Sequence, residues 1–266
     1  MGKQLNSYLW AMQGSYYGLR TLEGYMSPIP QDQFSQLFSR SQVQHYYALL
    51  GVKYVLCNPC KSPYLADYTF QKDINGLQLY VNNKALPRYH LVNKVPGSYK
   101  SEGEFYNLIN QGYDFNQGVY LPPEEVGPVQ GWLGQQAKPV SYTLKEEKAS
   151  ANKVQLSVIT QDRAFFILNE FYTDAWKVKI NGVEAKTLRA NLNQIGVLLD
   201  KGVNFIEFDY QPNLFINLIW LQRIVVALLL CYTINTIYIS KVRRFSLKRI
   251  LAPAVFTKES DSEVRI

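Results

Sequence analysis

The first spacing along the chain that could do chemistry is Cys57-Asn58-Pro59-Cys60. A C-x-x-C pair serves thiol–disulfide exchange when a helix opening at the second cysteine depresses a thiolate pKa. Here Lys61-Ser62-Pro63 follows, a polar, proline-broken stretch that continues as loop. Zinc wants four ligands, and the chain adds only His45 and His90, both far away in sequence. Two free loop thiols are the simpler reading of Cys57 and Cys60, and a loop disulfide is the alternative. With Cys231 inside an apolar run, three cysteines are too few for a disulfide framework.

Three acidic pairs come next: Glu102/Glu104, Glu124/Glu125 and Glu146/Glu147. Glycoside chemistry needs two carboxylates facing each other across a bound sugar. Close neighbours in polar, Pro- or Lys-rich sequence read instead as solvated faces. No Ser-His-Asp pattern, phosphate-cradling glycine loop or metal triad is present, and two histidines leave little for acid–base work. The expectation is no catalytic residue, no metal and no cofactor within this chain. Binding is more open. Tyr172 and Trp176, with Phe171 and Tyr210 nearby, could stack on sugar rings or form a sandwich core. Arg189 and Asn191 could recognise hydroxyls or phosphates, or brace a loop against a strand. These four, Tyr172, Trp176, Arg189 and Asn191, are the candidate substrate-binding residues.

The elements that must position them read as α+β: a mixed α/β N-terminal domain, a small all-β sandwich, and one C-terminal transmembrane helix. Residues 1–121 form the mixed domain. Apolar residues recur at helical spacing over Gln31–Leu50, and Gly51 suits the left-handed position that ends a helix. Val52–Leu56, Leu77–Val81 and Arg88–Val92 read as strands, with Asn75-Gly76 as a turn. Ser101 with Glu104 resembles a capping box, so Ser101–Gln111 reads as a helix with Phe105, Leu108 and Ile109 on one face. Proline and glycine crowd residues 122–141, which reads as a linker. Over 142–212 the pattern alternates: Val154, Leu156 and Val158; Trp176, Val178 and Ile180; Ile206, Phe208 and Tyr210. Asn181-Gly182 offers a hairpin turn into VEAKTL, and Asp200-Lys201-Gly202 separates QIGVLL from VNFIEFDY. Six short strands in this compass suit a sandwich.

The 266 residues are 47% apolar, 18% charged and 14% aromatic. That excludes disorder for most of the length and suits a partly membrane-associated, β-rich protein. Residues 214–239 are apolar and long enough to cross a bilayer as a helix. Arg223 interrupts the run. It stands either at the membrane boundary, its guanidinium reaching the headgroups, or opposite a carboxylate on another helix. Of the net charge of +7, +4 falls in residues 240–266, where Lys241, Arg243, Arg244, Lys248 and Arg249 cluster directly after the apolar run. Only Lys201 stands in the twenty residues before Leu214. The positive-inside rule thus puts the tail in the cytoplasm and residues 1–213 outside. The basic cluster points to a membrane rather than nucleic acid. No signal peptide is evident over residues 1–30, so export is expected to depend on transmembrane segments upstream in a larger protein.

Residues 168–212 carry a resemblance. Tyr172, Trp176, Lys177, Gly182, Arg189, Ala190, Asn191, Gly202, Phe208, Tyr210 and Pro212 follow a Tyr-x-x-x-Trp-Lys strand, Gly hairpin, Arg-Ala-Asn, Gly turn and Phe-x-Tyr-x-Pro exit into a membrane helix. This is similar to the C-terminal extracytoplasmic signature of the YfhO-like bacterial membrane protein family. Gly24-Tyr25, Leu49–Leu56 and Ala85-Leu86-Pro87-Arg88 match more loosely. The chain departs from the family in carrying Asp174-Ala175 for Pro-Gly and Gly202-Val203-Asn204 for Gly-x-His. The resemblance implies kinship to GT-C type glycosyltransferases, which use a lipid-phosphate-linked sugar and an acidic residue in an early external loop. It implies a bacterial cell-membrane protein working on envelope polymers such as lipoteichoic acid. This chain would supply the non-catalytic C-terminal portion, partnered by the bilayer, an envelope glycan or lipid-linked sugar, and an upstream transmembrane region. The alternative is a membrane-anchored polysaccharide-binding module without transferase activity.

Overall fold

A computed structural model of the chain describes residues 43–58, 65, 67–129 and 139–250. In chain order they form α1 (Val43–Leu49), β1 (Tyr54–Cys57), β2 (Tyr68–Ile74), β3 (Leu77–Asn82), β4 (Tyr89–Val92), β5 (Gly97–Ser98), α2 (Glu102–Asn110), β6 (Tyr120–Leu121) and α3 (Pro123–Val126). A 3-10 turn over Gly127–Val129 follows. Then come β7 (Tyr142–Ala149), β8 (Lys153–Thr160), β9 (Ala164–Leu168), β10 (Trp176–Ile180), β11 (Val183–Ala185), β12 (Leu188–Ala190), β13 (Gln194–Leu199), β14 (Gly202–Tyr210) and α4 (Asn213–Ile250). The fold is mixed α+β, with sandwich-like antiparallel sheets and one C-terminal apolar helix. The chain divides into two units, with the boundary between Gln211 and Pro212.

In the first unit, a five-stranded sheet ordered β11-β10-β14-β8-β7 and a four-stranded sheet ordered β12-β13-β9-β4 share a core. The alternation in the sequence sets the facing residues. Val154, Leu156 and Val158 of β8, Ile206 and Phe208 of β14, and Trp176 and Val178 of β10 point inward against Phe166, Leu168, Ile195, Val197 and Leu199. Each such side chain contributes about 1.5–3 kcal/mol by leaving water.

β9, Ala-Phe-Phe-Ile-Leu, does not alternate, because all five residues are buried. The far face of its sheet meets a second apolar layer, in which Phe165, Ile167, Val92 and Leu188 pack with Val119, Leu121 and Val129. The sheet is therefore the middle layer of the unit. One of its edge strands is β4, which pairs antiparallel with β9 across more than seventy residues of chain. The sandwich thus draws a strand from before the proline-rich segment. VEAKTL does not form one strand. Val183–Ala185 pairs with β10 and Leu188–Ala190 with β13, so the chain changes sheets at Lys186-Thr187.

Both Asn-Gly turns form as their sequence dictates, with φ of 52° and 83° at Asn75-Gly76 and 52° and 81° at Asn181-Gly182. β3 is the central strand of a small sheet ordered β1-β3-β2. α2 is capped by Ser101, whose Oγ accepts from the Glu104 N–H at 3.3 Å, while the Glu104 carboxylate accepts the Lys100 N–H at 2.5 Å. Phe105 and Ile109 of α2 pack with Tyr46 and Leu49 of α1 in a third apolar cluster. Residues 31–42 of the expected first helix lie outside the described residues. Gly51, at φ 73°, turns the chain after α1, where a Cβ would stand 2.7 Å from the Leu86 carbonyl oxygen. Within the expected linker, α3 and the turn after it are packed. Val129 is 1% exposed, and the Glu125 carboxylate, 8% exposed, takes the Lys186 ammonium at 2.6 Å.

In the second unit, α4 runs for 38 residues, about 57 Å at 1.5 Å per residue. Asn213–Arg243 is long and apolar enough to cross a membrane.

Candidate functional site

The candidate binding residues fall on two turns beside the four-stranded sheet, one after β9 and one between β12 and β13. The second turn reverses direction through Asn191 and Leu192, both at positive φ, 44° and 74°. Asparagine tolerates that conformation through its short polar side chain, whereas leucine there is strained. Arg189 holds the turn closed. Its Nε donates to the Leu192 carbonyl at 2.5 Å and its Nη2 to Asn193 Oδ1 at 3.4 Å.

Asn191, 2% exposed, bridges outward and inward. Its Oδ1 accepts the Tyr120 N–H at 3.0 Å, and its own N–H donates to the Tyr120 carbonyl at 2.9 Å. Its Nδ2 donates to Gln194 Oε1 at 2.8 Å. Gln194 Nε2 then donates to Asn169 Oδ1 at 3.0 Å and to the Leu49 carbonyl at 3.1 Å, where Asn169 Nδ2 also donates at 3.1 Å. The final carbonyl of α1, which no helical N–H can reach, is thus taken by two side-chain amides. Three carboxamides tie α1, β6, β9 and β13 together.

Tyr172 joins this turn through its N–H, which donates to the Asn193 carbonyl at 2.7 Å, while its hydroxyl donates to Asp174 at 3.3 Å. Burial raises its pKa, helped by the nearby Asp174 and Glu125 charges. Trp176 faces the sandwich core, 7% exposed, its ring 5.2 Å from that of Tyr210 and 6.5 Å from that of Phe208. The structure therefore brings Tyr172, Arg189 and Asn191 to one turn and sets Trp176 apart in the core.

Beside the turn is a cavity of about 200 Å³ lined by Tyr46, Leu49, Asn169, Phe171, Leu192 and Asn193 among others. That is below the usual range for small-molecule sites, about 300–1,000 Å³. Among the described residues lining it, Phe171 is the one that is largely exposed, at 46%. Glu170, also lining it, is held by Arg88, whose Nη2 and Nε reach Glu170 Oε1 at 3.0 and 3.1 Å. Arg88 Nη1 also reaches Glu146 at 3.5 Å, where the Tyr89 hydroxyl donates at 2.5 Å. The cavity can seat one small ring or acyl group against Phe171. Among the described residues lining it, no pair of groups is placed for proton transfer.

Of the acidic pairs, expected as solvated faces, Glu125 is instead buried at 8% exposed. Glu102 and Glu104 open α2, Glu125 pairs with Lys186, and Glu147 pairs with Lys145 at 2.7 Å. Among the described residues no group of three His, Cys, Asp or Glu could hold a metal. Cys57 is disulfide-bonded and Cys231 is free. The expectation of free loop thiols is corrected at Cys57, and Cys60 lies outside the described residues. His90, 3% exposed on β4, lies opposite Ile167, and neither ring nitrogen completes a hydrogen bond. Burial lowers its pKa to about 4, against an opposing pull from the Pro87 backbone. Burial likewise raises the Tyr99 hydroxyl to about 12.

Sequence reasoning missed Asn169, Gln194 and the Arg88–Glu170–Glu146 group. Each sits at a strand end or loop where polar residues are ordinary, so only the three-dimensional meeting marks them. Compared with protein-family models, curated proteins and solved structures, the chain matches none.

Proposed function

We propose that the chain is the C-terminal, non-catalytic portion of a YfhO-like membrane protein that takes part in lipid-linked sugar transfer to cell-envelope polymers. Its β unit works outside the cytoplasm, and catalysis is supplied elsewhere. The observation that carries this reading is the join of β14 to α4. The last sandwich strand passes through Gln211-Pro212 straight into a membrane-competent helix, and every cation of that helix except Arg223 follows Ser240. The disulfide at Cys57 suits an oxidising compartment. Arg223 suits a boundary position. Its guanidinium lies 5.2 Å from the ring of Trp220, aimed back toward the start of the helix, as helical side chains are. Tryptophan is enriched at that headgroup depth.

The residues behind the family resemblance have architectural roles that explain why such a pattern would be kept. Trp176 fills the core, Gly182 and Asn191 hold positive φ, Arg189 closes the turn, and Gly202 at φ 112° starts β14. The pattern is a folding signature, in keeping with catalysis by other residues. A second reading, a glycan-binding module acting without transfer, is favoured by the cavity beside exposed Phe171.

Membranes from cells with and without the gene, supplied with a radiolabelled lipid-phosphate-linked sugar, test the proposal. It predicts that label entering envelope polymer falls at least several-fold without the gene, and that the purified chain alone transfers none. Equal incorporation in both membranes would refute it. Saturable binding of envelope polysaccharide by the purified chain, with incorporation unchanged, would favour the second reading.

A further inference from the structure

The cavity beside the β12–β13 turn has an inner part and a mouth of different chemistry. Tyr46 and Leu49 of α1 and Leu192 of the turn, all buried, line it from inside, and the half-buried Leu50 joins them. The carboxamides in its wall are engaged already. Asn191 donates to Gln194, and Gln194 and Asn169 both donate to the Leu49 carbonyl. A hydroxyl pushed inward would compete with those bonds, whereas a methyl group would disturb none of them. Leu192 points the same way. Its φ of 74° would suit glycine or asparagine better, yet leucine stands there and gives the cavity an apolar wall.

At the mouth, Phe171 presents an exposed ring, and Arg88 fixes the neighbouring Glu170 carboxylate through Nε and Nη2. A carboxylate has about four acceptor sites, so an oriented Glu170 can take donors besides Arg88. Among the described residues lining the cavity none is a cation. Arg88 is shared between Glu170 and Glu146, and Arg189 is committed to the Leu192 carbonyl and Asn193. The surroundings therefore disfavour a phosphate and favour an uncharged group that carries hydroxyl or amide donors.

We infer that this cavity is a subsite for one N-acetylated sugar of a glycan chain. The acetamido methyl enters the apolar recess between Leu49, Leu50 and Leu192. The C–H face of the pyranose ring lies on Phe171, which supplies apolar contact area without a charge. The amide N–H or a ring hydroxyl donates to Glu170. A cavity of about 200 Å³ is too small for a drug-sized ligand, and it suits an acetamido group whose ring stays at the mouth. The inference rests on the glycan-binding reading and deepens it by naming the sugar and the residues that hold it.

Titration calorimetry of the full chain in detergent tests this, with a β-1,4-linked tetramer of N-acetylglucosamine set against the matching tetramer of glucose. The acetylated tetramer should bind about 4-fold tighter or more, the weight of one buried methyl group. Phe171→Ala, at an exposed position, should weaken its binding roughly 2- to 10-fold. Leu50→Phe, which narrows the recess, should erase the preference between the two tetramers. Inorganic phosphate should not compete. Equal affinity for the two tetramers, binding untouched by Phe171→Ala, or competition by phosphate would each overturn the subsite. If envelope polysaccharide binds the same preparation and the acetylated tetramer does not, the subsite falls and the glycan-binding reading stands. If neither binds, both fall.

Discussion

Replacing His90 with leucine should remove an acid sensitivity built into the sandwich. His90 is 3% exposed and lies opposite Ile167 across the β4–β9 ladder, with no well-formed hydrogen bond to either ring nitrogen. Its pKa falls from 6.5 to about 4 because burial opposes the imidazolium. At 1.36 kcal/mol per unit, the full shift corresponds to about 3 kcal/mol. The folded pKa lies below the unfolded one, so between about 6.5 and 4 the unfolded chain binds a proton that the folded chain refuses. Stability therefore falls as pH falls through that window and is unaffected above it. Most of the loss, about 2 kcal/mol by linkage, accrues between pH 7 and 5, before most carboxylates titrate. Leucine carries no proton and leaves no orphaned nitrogen, so this component vanishes. Urea unfolding of the full chain in detergent, followed by tryptophan fluorescence at pH 7, 6 and 5, reads the difference. Wild type should lose about 2 kcal/mol more than His90→Leu over that span. Parallel profiles would refute the reasoning, as would an imidazole resonance titrating near 6.5 in the folded protein.

Gly196→Ala should destabilise by about 3 kcal/mol or more, because the new Cβ would fall 2.1 Å from the buried Phe165 ring. Phe165→Leu in the same chain should recover part of that loss in thermal melts. Asn191→Ala should cost about 2–4 kcal/mol by orphaning the Tyr120 N–H and Gln194 Oε1. Asn191→Gly, which keeps the positive φ but not the bonds, should cost less than alanine in the same urea titration.

The sequence made the local features legible where one chemistry decides them. Asn75-Gly76 and Asn181-Gly182 specify their own turns, Ser101 caps α2, and the alternation of β8, β10 and β14 marks a sheet with one buried face. Ala164–Leu168 escaped notice as a central strand because a strand buried on both faces has no period to read. Its pairing with Tyr89–Val92 depends on the shape of the closed sandwich, which no local window contains. The change of sheet at Lys186-Thr187 was hidden for the same reason. At the candidate site, Arg189 and Asn191 were found by type, but their role was not. The positive φ at Leu192 and the reach of Asn169 and Gln194 to the end of α1 belong to tertiary structure. Trp176 was foreseen as a core residue and as a stacking platform alike, and its burial beside Phe208 places it in the core.

The most direct test of the account is the sidedness of α4. In a Cys231→Ser background, Val183→Cys in the exposed β11 hairpin and Ser246→Cys beyond the apolar run can be treated with a membrane-impermeant maleimide on intact cells. The account predicts labelling at position 183 at once and at position 246 only after permeabilisation. Labelling of position 246 on intact cells, with position 183 protected, would contradict it.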